Sequence, residues 1–190
     1  IKRNYQNEKI GLVGGRVIDK MHKQSPSRDV GRLKYWGLKE ITNFDADFKT
    51  KIDHAPGGNF SCYKDIYQSV GGFSELYSGN AYREETDFCL RVKKAGYKLI
   101  FEPKAVIKHL QYGGGGCREK DIYEFRYWLT HNLTLFYLRN YPRILFPVFY
   151  LRQVILAMLS SLKRRDFKMF VVRYNALRDG MKYYKETRCL

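Results

Sequence analysis

The chain has 190 residues and a formal net charge of +16, with 44% hydrophobic and 16% aromatic residues. Such a composition excludes a disordered polymer, and the length suffices for one domain, or a domain with an appendage, around a sizeable core. So large a basic excess points to an anionic partner: nucleic acid, an acidic lipid surface or a phosphate-bearing substrate.

Cys62, Cys89, Cys117 and Cys189 stand far apart and form no C-x-x-C pair, so neither a zinc site nor a disulfide framework is signalled. Reduced thiols in a cytoplasmic setting are the expectation. No signal peptide is visible, and the first residues read as mid-domain, so a longer parent chain is expected. Residues 10–18 read as a short strand bent by Gly14 and Gly15. Residues 19–56 read as loop-rich, with a helix around Leu33–Leu38. Within them, Asp45-Ala46-Asp47 has the spacing of a metal-binding D-x-D. Its lead-in, Lys39-Glu40-Ile41-Thr42-Asn43-Phe44, is too polar for the buried strand that would hold such carboxylates rigid, and we read the pair as a decoy.

From Pro56 the pattern sharpens. Gly57 and Gly58 can bring bare backbone against a sugar ring, with Asn59 bonding its hydroxyls, or they form a tight turn capped by Asn59. Residues 62–70 read as a short helix closed by Gly71-Gly72, with Phe73 in the core. Glu84, Glu85 and Asp87 then gather three carboxylates at the start of a helix whose apolar positions are Phe88, Cys89, Val92 and Ala95, stopped by Gly96. Acids at a helix N-terminus are the ordinary complement of the macrodipole. Two short strands should follow, Leu99–Phe101 and Ala105–His109, separated by Pro103. His109 is either a packed residue at a strand end or a metal ligand through neutral imidazole.

Taken together, Gly57-Gly58-Asn59, Val70-Gly71-Gly72-Phe73-Ser74-Glu75, Glu84-Glu85-Thr86-Asp87, Ala95-Gly96-Tyr97 and Pro103 through His109 occur in a telling order. The pattern resembles the second half of the catalytic domain of family-two, GT-A-fold glycosyltransferases, over about residues 10–141. The resemblance implies an α/β fold: a partial GT-A, Rossmann-like nucleotide-diphospho-sugar transferase domain over 1–118. Its nucleotide-binding half and true D-x-D would lie upstream. It further implies an inverting transfer from a nucleotide-sugar donor to a saccharide or lipid-linked acceptor in envelope polysaccharide or glycolipid synthesis, with a divalent cation (Mn²⁺ or Mg²⁺) held partly by His109. Glu85 stands where the family's basic Asp stands. The extra methylene leaves Glu84 or Asp87 as alternatives for the base. Gly57, Gly58, Asn59 and Arg83 become candidate substrate contacts. Arg118, beyond the Gly113–Gly116 run, becomes a candidate diphosphate contact on a closing lid with Lys120.

Residues 119–190 differ in kind and are read as a basic helical tail. Residues 122–138 should be helical, and His131-Asn132 and Arg139-Asn140-Tyr141-Pro142 are similar to sequences that follow the catalytic domain in bacterial members. Ile144–Leu162 is apolar apart from Pro147, Arg152 and Gln153; spanning a bilayer would place Arg152 near the centre at a cost of about 2.5–3.5 kcal/mol. The stretch spans, lies on a membrane or packs internally. Phe167, Phe170, Val171, Tyr174, Leu177, Met181 and Tyr184 form one helical stripe flanked by Lys168, Arg173, Arg178 and Lys182. That pattern fits a helix on an anionic membrane surface, peripheral to the inner face of the cell membrane, or helices packed together. The rival function is a basic, aromatic-rich nucleic-acid-binding module. No recognised nucleic-acid motif supports it, and the acids at 84–87 oppose phosphate, so no nucleic-acid partner is expected.

Overall fold

The computed structural model describes residues 2–5, 9–19, 28–110 and 121–187. The chain folds as two compact units, Ile1–Ser74 with Glu84–Gly113, and Glu75–Arg83 with Gly114–Leu190. The boundary expected at 118 is therefore crossed by a nine-residue excursion, Glu75–Arg83, that belongs to the second unit.

In the first unit, β1 (Ile10–Asp19) and β6 (Lys98–His109) run parallel at the centre of a four-stranded sheet. β5 (Phe60–Cys62) pairs antiparallel with β1, and β4 (Thr50–Lys51) antiparallel with β6. A parallel pair needs a long crossover, and here residues 20–97 supply it, carrying α1 (Lys64–Ser69) and α2 (Glu84–Lys94). The apolar side chains of α2, Phe88, Cys89 and Val92, join Leu12, Leu99 and Phe101 from the sheet in one core. Phe88 is ringed by Phe60, Tyr67 and Phe73 at centroid separations of 5.1–6.1 Å. The Phe73 of the Gly71-Gly72-Phe73 stretch is thus part of the packing that fixes α2. The unit is a mixed α/β structure with a parallel-containing sheet.

Two expectations are corrected here. Residues 33–38 form no helix: Arg32–Lys34 (β2) and Lys39–Ile41 (β3) make a hairpin, with Tyr35 and Trp36 exposed at its tip. Both have φ of 51°, and Gly37 has 78°. Tertiary bonds from Leu33 N to Asp53 Oδ2 and Gly31 N to Thr42 O hold the extended backbone and override local helical preference. Pro103 likewise fails to split β6. It has no N–H for the ladder, so the register jumps from Gly15 opposite Glu102 to Arg16 opposite Val106, and pairing resumes beyond it.

The second unit is helical: α3 (Ile122–Asn140), α4 (Phe146–Arg164) and α5 (Phe167–Thr187). Asp121 caps α3 through its carboxylate and the Tyr123 N–H at 2.8 Å. The Tyr137 ring of α3 stacks on Phe149 of α4 at 4.1 Å. Seated on α3 is the excursion 75–83. Asn132, fully buried, donates to Ser78 O at 2.7 Å, while Asn80 donates to Phe125 O at 3.3 Å. The expected stripe on α5 is not its packed face: the buried residues are Met169, Ala176, Leu177 and Gly180, and only Leu177 belongs to both sets.

Candidate functional site

Glu84 and Glu85 open α2 and remain part-exposed, with Asp87 one residue beyond Thr86 in the same first turn. The helix continues through Arg91, Lys93 and Lys94, so acids sit at its positive end and bases at its negative end. That arrangement stabilises the helix.

The two glycines of the Pro56–Asn59 turn are exposed, and Gly57 lies directly against Glu85. A Cβ built on Gly57 would fall 2.0 Å from Glu85 Oε1 and 2.7 Å from its carboxyl carbon. The absent side chain is therefore the space the Glu85 carboxylate occupies. Gly58 faces open space, with only Ile107 Cδ1 at 3.9 Å from such a Cβ. A carboxylate beside an uncovered glycine backbone is a surface on which a flat, hydroxyl-rich ring can rest within reach of a base.

Glu84 holds its proton more tightly than an ordinary glutamate, first because burial disfavours its charged form and second because Glu85 is a like charge beside it. The charge of Glu85 thus bears on the titration of Glu84. Cys89, one turn on, is buried among apolar groups, which pushes its thiol up to about 12. It is a core residue, not a nucleophile.

Asp87 separates from this pair. Its carboxylate, 1% exposed, accepts from Arg91 Nε at 2.8 Å, and Arg91 Nη1 in turn donates to Val70 O at the end of α1. Expected among the catalytic carboxylates, Asp87 stands apart from Glu84 and Glu85, buried in an ion pair that links α2 to the end of α1. Asn59 is also differently employed from the expectation. Its amide donates to Arg16 O at 2.9 Å and Ala105 O at 2.8 Å, closing the irregularity that Pro103 leaves between β1 and β6. A Cβ on Gly15 would lie 2.4 Å from that nitrogen, so Gly15 makes room for the bridge. Both amide hydrogens being spent, Asn59 sets the turn bearing Gly57 and Gly58.

Arg83 belongs to the second unit, where its guanidinium is buried over the rings of Tyr82 (4.7 Å) and Phe136 (5.6 Å). His109 ends β6 on the exposed side, in register with Asp19. Asp45 and Asp47 lie in an irregular turn after β3, not at the end of a buried strand. Among the described residues, no three of His, Cys, Asp and Glu gather where they could hold a metal ion. Arg118 and Lys120 lie outside the described residues.

Sequence reasoning named Gly57 and Glu85 separately but had no means of pairing them. Gly57→Ala tests the pairing. Because the group that must yield is the end of a flexible side chain, the expected stability loss is under about 1 kcal/mol, while displacement of the carboxylate lowers turnover about a hundredfold. Thermal melting beside steady-state kinetics checks both; unchanged turnover would dissociate Gly57 from the chemistry.

Residues 40–112 match the family model described as the N-terminal domain of galactosyltransferase. The match runs from β3 to the end of β6 and includes Gly57, Gly58, Glu84, Glu85 and His109. No curated protein matches the chain. The chain thus carries a glycosyltransferase-like domain, and sugar transfer is the general activity that follows from it.

Proposed function

We propose that the chain is the acceptor-side part of an inverting, GT-A-type glycosyltransferase that uses a nucleotide-sugar donor and a saccharide or lipid-linked acceptor. The observation that carries this reading is the seating of the Glu85 carboxylate on Gly57, next to Glu84, inside the region matched by the galactosyltransferase model. Glu85 takes the proton of an acceptor hydroxyl. That oxygen forms its bond to the anomeric carbon as the bond to the donor's diphosphate oxygen breaks, and the electron pair leaves with the diphosphate. Attack opposite the leaving group inverts the anomeric centre. Glu84 adds negative charge beside the base, and Gly58 leaves the ring face uncovered. A divalent cation on the diphosphate would stabilise the departing charge, and His109 is the one expected ligand among the described residues.

The test, made on the full-length protein that carries the nucleotide-binding half, is transfer from a panel of nucleotide sugars, galactosyl donors first, to saccharide and lipid-linked acceptors, with product configuration read by NMR. Inverted product supports the reading; retained configuration, or no transfer from any donor, overturns it.

The raised Glu84 carboxyl gives a second expected outcome. A carboxyl whose folded-state pKa is raised loses folding stability as pH rises through that pKa, because the folded state must give up a proton it favours. Glu84→Gln should therefore be at least as stable as wild type at neutral pH, with the difference vanishing in acid, where both side chains are neutral. In Glu85→Gln, the Glu84 carboxyl followed by ¹³C NMR should titrate lower than in wild type but still above an ordinary glutamate, since burial persists. An unmoved titration would show that the two carboxyls do not interact.

A further inference from the structure

α4 has two opposed faces. Phe149, Gln153, Ala157 and Ser161 are buried within the helical unit. On the far side, Ile144, Val148, Leu151, Ile155, Leu159 and Leu162 recur at helical spacing and face solvent, with Ile144 84%, Leu151 61% and Leu162 68% exposed. Met158 widens the stripe. From Pro142 to Arg165 there is no acidic residue, whereas Arg143, Arg152, Lys163, Arg164 and Arg165 are all present and exposed. An apolar face about 28 Å long, with cations at both ends and one at its flank, is complementary to one surface above others.

We infer that α4 docks this protein on an anionic lipid bilayer, lying in the plane of the interface with Ile144, Val148, Leu151, Ile155, Leu159 and Leu162 in the acyl boundary and the five cations among the headgroups. The stretch Arg143–Arg164 is long and apolar enough to cross a membrane by length and composition. Its packing favours the flat arrangement. Crossing would expose to lipid the face that holds Phe149 on Tyr137 and that receives Arg173, whose Nη1 donates to Leu156 O at 3.2 Å and Ser160 Oγ at 2.9 Å. A second copy of the chain is the poorer occupant, because two such faces would bring five cations against five with no carboxylate between them. Of the alternatives that the sequence leaves open for 144–162, this is the one that lies on the membrane; on α5, Leu177 of the apolar stripe is buried. The inference does not depend on the reading of the acidic pair as a transferase site.

The experiment is co-sedimentation of the full chain with vesicles of phosphatidylcholine alone and of phosphatidylcholine with phosphatidylglycerol, beside single-stranded RNA across a salt series. Leu151→Ser/Ile155→Ser/Leu159→Ser should keep the wild-type melting temperature and circular dichroism, because those side chains face solvent, yet bind anionic vesicles at least about tenfold more weakly. Lys163→Gln/Arg164→Gln should weaken anionic binding by severalfold and leave the weak binding to neutral vesicles unchanged. Phe170→Ser/Tyr174→Ser, on α5, should bind as wild type wherever it remains folded. Anionic vesicle binding untouched by the triple serine variant overturns the inference. So does failure to bind vesicles, whether accompanied by tight salt-dependent RNA binding or by a dimer that the triple variant dissolves.

Discussion

In the full-length protein, Glu85→Gln should leave the fold and nucleotide affinity intact and lower turnover by roughly two to four orders of magnitude, the usual consequence of removing a general base. The amide is isosteric and occupies the same space on Gly57, so packing does not change; only the capacity to take the acceptor's proton is lost. Glu84→Gln should have a smaller effect, because that carboxyl is the desolvated neighbour of Glu85 and not the one seated on Gly57. The ordering therefore carries information beyond either number. If Glu84→Gln is the dead variant and Glu85→Gln nearly normal, the longer reach of a glutamate at position 85 has moved the base role one residue back. If both retain turnover, the acidic pair is only a helix start and the proposed chemistry fails.

What the sequence made legible was mostly local. The helices of the second unit were legible in the aromatic-rich run 122–138, the apolar stretch 144–162 and the periodic stripe from Phe167 to Tyr184. α2 follows from its acids, its apolar positions and Gly96, which takes φ of 88° where the chain turns. The strand around Leu99–Phe101 was legible as an apolar run. What was not legible depended on partners distant in sequence. Nothing near Leu33 signals the Asp53 carboxylate that draws its N–H into a hairpin. Nothing near Pro103 announces that Asn59 will bridge the gap it leaves. The excursion Glu75–Arg83 reads as a loop between two motifs of one domain, yet Asn132, a residue 54 positions beyond Ser78, holds it on α3. The stripe on α5 was a true helical periodicity, yet the face that packs within the unit is another one, with only Leu177 shared. A stripe specifies that a face is apolar, and only the three-dimensional arrangement decides whether protein or solvent meets it. The site was legible as a set of residues and not as a geometry: spacing put Glu84, Glu85 and Asp87 together, and the fold divided them by burial.

That division is testable through Asp87, whose removal should be the largest stability loss among the site variants. Asp87→Ala leaves the Arg91 guanidinium, largely enclosed and still bonded to Val70 O, without its counter-charge. Breaking one side of a buried pair costs about 3–5 kcal/mol, and Arg91's partial exposure places the expectation at the lower end, about 3 kcal/mol. Asp87→Leu/Arg91→Met should recover much of that loss, because an apolar pair of comparable volume has no stranded charge to solvate. Chemical denaturation of Asp87→Leu, Arg91→Met and the double variant, read as a double-mutant cycle, gives the coupling directly. Turnover then separates tether from catalyst. A tether predicts that the double variant, once refolded to near wild-type stability, transfers sugar within about threefold of wild type. A catalytic carboxylate predicts loss on the scale of Glu85→Gln however stable the protein becomes. Recovered stability with that loss would return Asp87 to the chemistry, and a fall in stability well under about 1 kcal/mol for Asp87→Ala would remove the tether itself.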